Sequence, residues 1–299
     1  MSIPFDALLT ILYVLIDDWF KAEGREKLGR TVGKKPVFSD SEMLTLMVAQ
    51  DFVPYPGETQ YVGFIRANYH TLFPRLLDQS QYNRRAIKLR WILEALRQNG
   101  LKQLGVNQPD QLLIDTKPIP VMGYTRSKNR SDFRGKAAYG YCSARKLRYF
   151  GYKLTLLCTL DGLPVLYDLV PADTDERTAV EGILYHVHGC DIFGDKGFIG
   201  TEWQNQIRRE THNRIWTTKR ENQAQQNPAA FDKLLNSIRE RIEGVFNSIQ
   251  NTGRHLERLL AKTEAGLHTR VSLKMVSHTF RLVLNRCFGL DLLTFSISH

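Results

Sequence analysis

Apolar residues recur at helical spacing over the first third of the chain, from Phe5 to about Gly105. Ser39 and Glu42 form a capping-box pattern, which predicts a helix that starts there and runs towards Phe52. Further helices are predicted over about 60–68 and 82–99. Residues 1–106 are therefore predicted to form an all-helical domain.

The pattern becomes mixed after a polar connector over 105–111. Leu112 to Asp115 is predicted to form a short buried strand, which Pro118 and Pro120 stop. Asp161-Gly162 predicts a hairpin between the next two strands. The later predicted elements are strands over 150–160, 163–170, 190–195 and 214–218, and helices over 173–188, 201–209, 228–250 and 264–288. This is the element order of the ribonuclease-H-like fold, so residues 107–299 are predicted to be an α/β domain with a mixed sheet flanked by helices.

Composition and charge indicate the class of binding partner and the cellular compartment. The 299 residues carry a formal net charge of +10, with a pI near 9.4, which favours a polyanionic partner, nucleic acid before an anionic membrane. Four widely spaced cysteines argue against a zinc finger and a disulfide scaffold, and so predict a cytoplasmic protein. The apolar run over 7–16 is too short to span a bilayer. The sequence lacks a Gly-Lys-Ser/Thr phosphate loop, which argues against ATP use.

Three acids are candidates for catalysis because of where they fall. Asp115 ends the first predicted strand of the α/β domain, Asp195 ends the 190–195 strand, and Glu243 lies beside the apolar stripe of the 228–250 helix. If the two strands are neighbours, the three carboxylates share one cleft, where they repel unless two Mg²⁺ or Mn²⁺ ions are bound.

Simpler interpretations of the same residues stay open. Asp195 is also a residue type that opens turns, and Asp191 on the same strand is the second choice. Glu243 with Arg239 is also an ordinary i, i+4 ion pair on a helix, and Glu240 is the alternative ligand there.

These motifs resemble the DDE transposases of bacterial insertion sequences over roughly 111–250. The resemblance is carried by Leu-Ile-Asp115, Tyr149 to Leu154, Leu163-Pro164-Val165, Pro171-Ala172-Asp173, Gly194-Asp195-Lys196-Gly197-Phe198, and Arg239 followed after three residues by Glu243. It implies that Asp115, Asp195 and Glu243 hold two metal ions and that Arg239 contacts the DNA at the element's end. Asn236 and Gln250 stand where the common signature has tyrosine and lysine, which affects the expected end-DNA contacts and not metal binding.

Basic residues suggest where DNA lies. The 82–99 helix carries Arg84, Arg85 and Lys88, with Trp91 assigned to its core side. Nine Lys or Arg occur between Tyr124 and Lys153 against one acid. Interleaved with them are aromatic residues that could stack on unpaired bases: Tyr124, Phe133, Tyr139, Tyr141 and Tyr149. The remaining candidate DNA contacts are Arg145, Lys146, Arg148, Lys219 and Arg220. A solvated helix face and a disordered basic loop are the alternatives.

The predicted function is DNA transposition. Metal-dependent hydrolysis frees the 3′-hydroxyl at the element's end, and that hydroxyl then attacks target DNA. The N-terminal helices are predicted to bind the end sequence. The protein is expected to act at the nucleoid and to form a homodimer once two element ends are paired. A nuclease of the same fold without strand transfer, and a DNA-binding protein descended from a transposase, are the rivals.

Overall fold

The computed structural model describes residues 3–29, 36–124, 132–143, 145–219 and 226–290. Its helices are α1 (Phe5–Trp19), α2 (Arg25–Lys27), α3 (Asp40–Ala49), α4 (Glu58–Asn68), α5 (Gln79–Gln103), α6 (Glu176–Leu184), α7 (Thr201–Thr211), α8 (Ala229–Gln250) and α9 (Glu264–Cys287). Its strands are β1 (Gln111–Met122), β2 (Ala138–Cys142), β3 (Leu147–Thr159), β4 (Pro164–Pro171), β5 (Asp191–Gly194) and β6 (Arg214–Thr217). The chain divides into two compact units, residues 1–105 with 249–299, and residues 106–248.

The first unit is helical. The predicted capping box starts α3: Ser39 Oγ accepts a hydrogen bond from the Glu42 amide at 3.1 Å, and the Ser39 amide donates to Glu42 Oε2 at 2.6 Å. The buried core of this unit includes Leu9, Leu46 and Leu93 from the N-terminal helices.

The last helix packs into the same helical core. Phe280 of α9 is fully buried there, and Gly100 of α5 leaves so little room that a Cβ on it would lie 2.8 Å from Thr279 Cγ2. The structural unit around the sheet therefore ends at Ser248, whereas the predicted catalytic domain runs over 107–299. The functional assignment of the two segments stays a prediction.

The second unit is built on a six-stranded mixed sheet in the order β2-β3-β1-β5-β6, in which β4 also pairs with β3. β3 is antiparallel to β1, β2 and β4, and β5 is parallel to β1 and β6. One core beneath this sheet joins residues of β1, β3 and β5 to α6, including Ile114, Leu157 and Val180. This mixed sheet with flanking helices confirms the predicted ribonuclease-H-like fold class.

The predicted end of β1 at Asp115 is wrong. β1 continues through Pro118 and Pro120 to Met122, paired with β3 throughout. Its parallel pairing with β5 covers only Gln111 to Leu113 among the described residues. Both prolines therefore lie where β1 has no strand paired to its other edge, and the N–H that proline lacks breaks no hydrogen bond there.

Strand β2 was also missed, because it lies in the basic segment that the sequence suggested was a loop. Its alternation is weak: Tyr139 and Tyr141 are exposed, and the residues between and beside them are only half-buried. Among the described residues, no helix is long and apolar enough to cross a membrane.

Candidate active site

Strand register brings Asp115 and Asp195 to the same place on the sheet. Leu113 of β1 pairs with Phe193 of β5 in parallel; Asp115 lies two residues further along β1, and Asp195 lies two residues further along the chain, directly after β5 ends at Gly194. Because parallel strands advance together, the two carboxylates come out at one level. The two strands are neighbours, which is the condition that the predicted shared cleft requires.

Local hydrogen bonds hold both carboxylates. Asp115 Oδ1 accepts from the Thr116 amide at 2.7 Å, and Asp195 Oδ1 accepts from the Gly197 amide at 2.8 Å. The second bond caps a short 3-10 turn over Lys196–Phe198. Asp195 thus opens a turn and faces the site at once, and each carboxylate keeps a second oxygen for a ligand.

The site is electrostatically strained. The pKa of Asp115 is raised to about 7, mainly by burial and also by the carboxylates of Asp195 and Glu176, against the Thr116 amide and the Arg239 guanidinium, which lower it. Two neighbouring aspartate carboxylates are donors of the kind that a hard divalent cation prefers.

The third predicted ligand, Glu243, is exposed on α8. The group that α8 brings near Asp115 is Arg239, one turn earlier on the helix. Among the residues the structure describes, no group of three or more His, Cys, Asp or Glu side chains is arranged to hold a metal ion. The structure therefore brings together two of the three predicted ligands, and the role of Glu243 stays a prediction.

The alternative ligands lie elsewhere. Glu240 is exposed on α8. Asp191 starts β5, where it pairs with Arg214 at 2.6 Å and accepts a hydrogen bond from Trp216 Nε1 at 2.7 Å. These contacts engage both carboxylate oxygens of Asp191, at the opposite end of β5 from Asp195.

Sequence reasoning missed Glu176. It is the first residue of α6, and it lies close enough to the site that its carboxylate raises the pKa of Asp115, while the Asp195 carboxylate raises the pKa of Glu176. In the sequence, Asp173 to Glu176 indicates only the start of the predicted 173–188 helix.

Two of the three predicted DNA contacts on α5 are exposed to solvent, and the third forms an ion pair within the helical unit. Arg84 and Lys88 are exposed, whereas Arg85 forms an ion pair with Asp40 at 2.6 Å and its side chain is only 15% exposed. The assignment of Trp91 to the core is wrong: it is 74% exposed. It lies seven residues after Arg84, which at 3.6 residues per turn is the same face of the helix.

The basic segment between β1 and β3 is partly described. Arg145, Lys146 and Arg148 are exposed at the turn between β2 and β3 and on the start of β3, and Tyr124, Tyr139 and Tyr141 are exposed as well. Phe133 and Tyr149 are buried, so these two rings are not available for stacking on bases. Lys219 is half-buried, and Arg220 lies outside the described residues.

The raised pKa of Asp115 gives a stability prediction. In protein kept free of divalent cations, Asp115→Asn should raise the free energy of unfolding at pH 8 by about 1–2 kcal/mol, because it removes a carboxylate that is costly to ionise. The folded pKa lies above the unfolded one, so the cost in wild type is absent near pH 4, grows as pH rises and is complete above pH 7. Denaturant unfolding with a chelator at pH 5 and pH 8 measures the difference. An equal effect of Asp115→Asn on the free energy of unfolding at pH 5 and pH 8 would contradict the raised pKa of Asp115.

Residues 107–280 match the family model of the transposase DDE domain, which is more than half of the chain. No curated protein and no solved structure matches it.

Proposed function

Because the chain belongs to the family of transposase DDE domains, whose members cleave phosphodiester bonds and generally use divalent metal ions, we propose that it is an insertion-sequence transposase. It cuts DNA at the ends of its element and joins the freed 3′-hydroxyl to target DNA. The observation that carries the proposal is the register that sets Asp115 beside Asp195.

We propose that Asp115 and Asp195 hold the metal ions, with Glu243 as the third ligand. Bound in pairs, such ions activate the attacking oxygen and stabilise the leaving one in phosphodiester chemistry. The donor chemistry of the site fits them, since two aspartates each offer an oxygen that no amide occupies. The guanidinium of Arg239 favours the ionised form of Asp115 and adds positive charge where a DNA phosphate would lie.

The exposed face of α5 supports a role in binding the element's ends. Arg84, Lys88 and Trp91 follow one another at i, i+4 and i+7, and the Arg90 guanidinium lies 4.0 Å from the centre of the Trp91 ring. An exposed tryptophan between cations can contact phosphates and stack on bases.

Trp91→Ala should weaken binding to element-end DNA with a single-stranded overhang by about 5- to 150-fold, because stacking of one unpaired base on an aromatic ring is worth about 1–3 kcal/mol. Its thermal stability should stay that of the wild type, since the ring is exposed. Fluorescence anisotropy with labelled DNA measures the change. Leu72→Ala, at another exposed apolar residue of the helical unit, is the matched control and should bind like wild type. Equal affinity of the Trp91 variant and this control would exclude Trp91 from the interface.

The test of the proposed function is a cleavage assay on the DNA that flanks the coding sequence, with Mg²⁺ or Mn²⁺ supplied. Cuts at the element's ends followed by joined product support the transposase. Cuts without joined product favour the nuclease of the same fold, and tight binding without metal-dependent cuts favours a DNA-binding protein. A homodimer on paired ends would appear as a complex of two protein chains and two DNA ends in light scattering.

A further inference from the structure

We infer that Thr218 is a further residue of the proposed active site, whose hydroxyl donates a hydrogen bond to the DNA phosphate that is cleaved there. This inference rests on the proposed function, since it adds a substrate contact to the same site. Thr218 directly follows β6, and it is not among the residues that carry the sequence resemblance.

Strand register places Thr218 level with the two aspartates. Gly194 of β5 pairs in parallel with Thr217 of β6, so the residues that follow them, Asp195 and Thr218, are level with each other. Asp195 is in turn level with Asp115, because β1 and β5 also pair in parallel. The three residues therefore form a row across three neighbouring strands, at the edge of the sheet where β5 and β6 end.

Both ends of this row lie on the face of the sheet that α8 covers. Residues two apart along a strand share a face. On β1, Lys117 lies two residues after Asp115, and its Nζ is 5.6 Å from the centre of the Phe246 ring of α8. On β6, Trp216 lies two residues before Thr218, and its ring centre is 5.5 Å from that of another phenylalanine of α8. The alternation therefore directs Asp115 and Thr218 to the same side of the sheet.

The hydroxyl of Thr218 is buried and has no hydrogen-bond partner among the described residues. The residue is only 5% exposed, and its Oγ1 is shielded from solvent. Such a hydroxyl costs folding free energy, because its hydrogen bonds to water are lost and not replaced. An oxygen of a DNA phosphate bound in the site would supply the partner, and threonine hydroxyls are common donors to DNA phosphates.

A hydroxyl adds to the site what the aspartates lack. An ionised carboxylate only accepts hydrogen bonds, whereas the neutral hydroxyl donates one and brings no further negative charge near the phosphate. Phosphodiester cleavage needs ligands for cations and also donors to the oxygens that gain charge in the transition state. The row of Asp115, Asp195 and Thr218 offers both kinds of group at one level.

Two simpler roles for Thr218 make different predictions. If the residue only fills space in the core, Thr218→Val should cleave DNA like wild type, because valine has the same shape without the hydroxyl. If the hydroxyl serves the fold, Thr218→Val should lower the free energy of unfolding. Cleavage and stability measured on the same variant therefore separate both roles from a DNA contact.

Thr218→Val should lower the rate of metal-dependent cleavage at saturating element-end DNA by about 10- to 100-fold, because a hydrogen bond to a charged oxygen is lost in the transition state. Its affinity for DNA should stay close to that of wild type, since many other phosphate contacts hold the duplex. Its free energy of unfolding should equal or exceed that of wild type, because valine buries no unpartnered hydroxyl. Thr218→Ser keeps the hydroxyl and should restore most of the cleavage rate.

Thr217→Val is the matched control and should cleave like wild type. Thr217 is equally buried, at 5% exposed, but it is paired with Gly194 and so points to the other face of the sheet. Wild-type cleavage by Thr218→Val overturns the inference and leaves the proposed function intact. The same holds if Thr218→Val loses stability together with activity, or if Thr218→Ser is as slow as Thr218→Val. Failure of the wild-type protein to make metal-dependent cuts contradicts the proposed function itself, and the inference with it.

Discussion

Asp195→Asn is expected to reduce metal-dependent cleavage of element-end DNA by about a thousandfold or more, because it removes a charged ligand and keeps the side chain's size. Asp195 directly follows β5, the parallel neighbour of β1, at the level of Asp115, and its Oδ1 already accepts a hydrogen bond from the Gly197 amide. Asparagine keeps that hydrogen bond through its carbonyl oxygen, so the turn over Lys196–Phe198 should persist. Gel-based cleavage with Mg²⁺ measures the rate.

Two controls make this loss specific. DNA binding by Asp195→Asn should equal or exceed that of wild type, since a negative charge near the phosphates is gone. Asp161→Asn should cleave normally, because Asp161 is exposed at the β3–β4 turn, where Asn-Gly is as good a turn as Asp-Gly. Cleavage by Asp195→Asn at a rate within a few-fold of wild type would remove Asp195 from the active site.

The second large effect is expected in the helical unit. Asp51→Ala should lower the free energy of unfolding of this unit by about 3–5 kcal/mol, because it leaves buried cations without their counter-charge. Asp51 is only 2% exposed and lies 3.6 Å from Arg254 Nη1 and 3.4 Å from Lys274 Nζ, and both of these side chains are buried as well.

The balance of charge explains the size of this effect. Burial lowers the pKa of Lys274 to about 8, and Asp51 opposes that change. Asp51 Oδ1 also accepts the backbone amide of Arg254 at 3.0 Å, so the carboxylate holds the segment after α8 against the end of α3. Losing it costs a backbone partner and an ion pair at once.

Denaturant unfolding followed by circular dichroism measures the loss. Asp51→Asn serves where the alanine variant does not fold, since the amide oxygen still accepts the Arg254 amide and the loss should be smaller. Asp17→Asn is the matched control: Asp17 pairs at 2.6 Å with Lys21, whose side chain is 65% exposed, and an ion pair with a solvent-exposed partner is worth about 0–1 kcal/mol. Equal effects at Asp51 and Asp17 would show that the buried cluster does not stabilise the unit.

Much of the fold can be predicted from the sequence because the patterns that indicate it involve residues close together in the chain. The apolar run from Leu112 and the run over 190–195 each predicted a buried strand, and the structure has β1 and β5 there. The Asp161-Gly162 turn predicted the β3–β4 hairpin, and the Ser39 capping box predicted the start of α3. Each of these depends on residues close together in sequence.

The predictions from sequence are wrong where the structure depends on contacts between residues that are far apart in the chain. Pro118 and Pro120 normally end a strand, and only the bare second edge of β1 lets it continue to Met122. Trp91 looked like a core residue by its type, but its position on α5 puts it on the solvent face.

The candidate site shows the same division. Asp115 and Asp195 each follow a short apolar run, which is a local pattern that sequence reasoning can find, although β1 continues beyond Asp115. Glu176 is brought near them by the packing of α6 on the sheet, and no spacing in the sequence announces that approach.

Strand transfer itself is the most direct test of the account. A duplex ending in the element's exposed 3′-hydroxyl, incubated with the protein, Mg²⁺ and a target plasmid, should yield plasmid covalently joined to that end. The same duplex with a 3′-deoxy end should give none, because the attacking oxygen is absent. Joined product from the hydroxyl end alone is the result the account predicts. Plasmid nicked equally with both ends, and never joined, would contradict it.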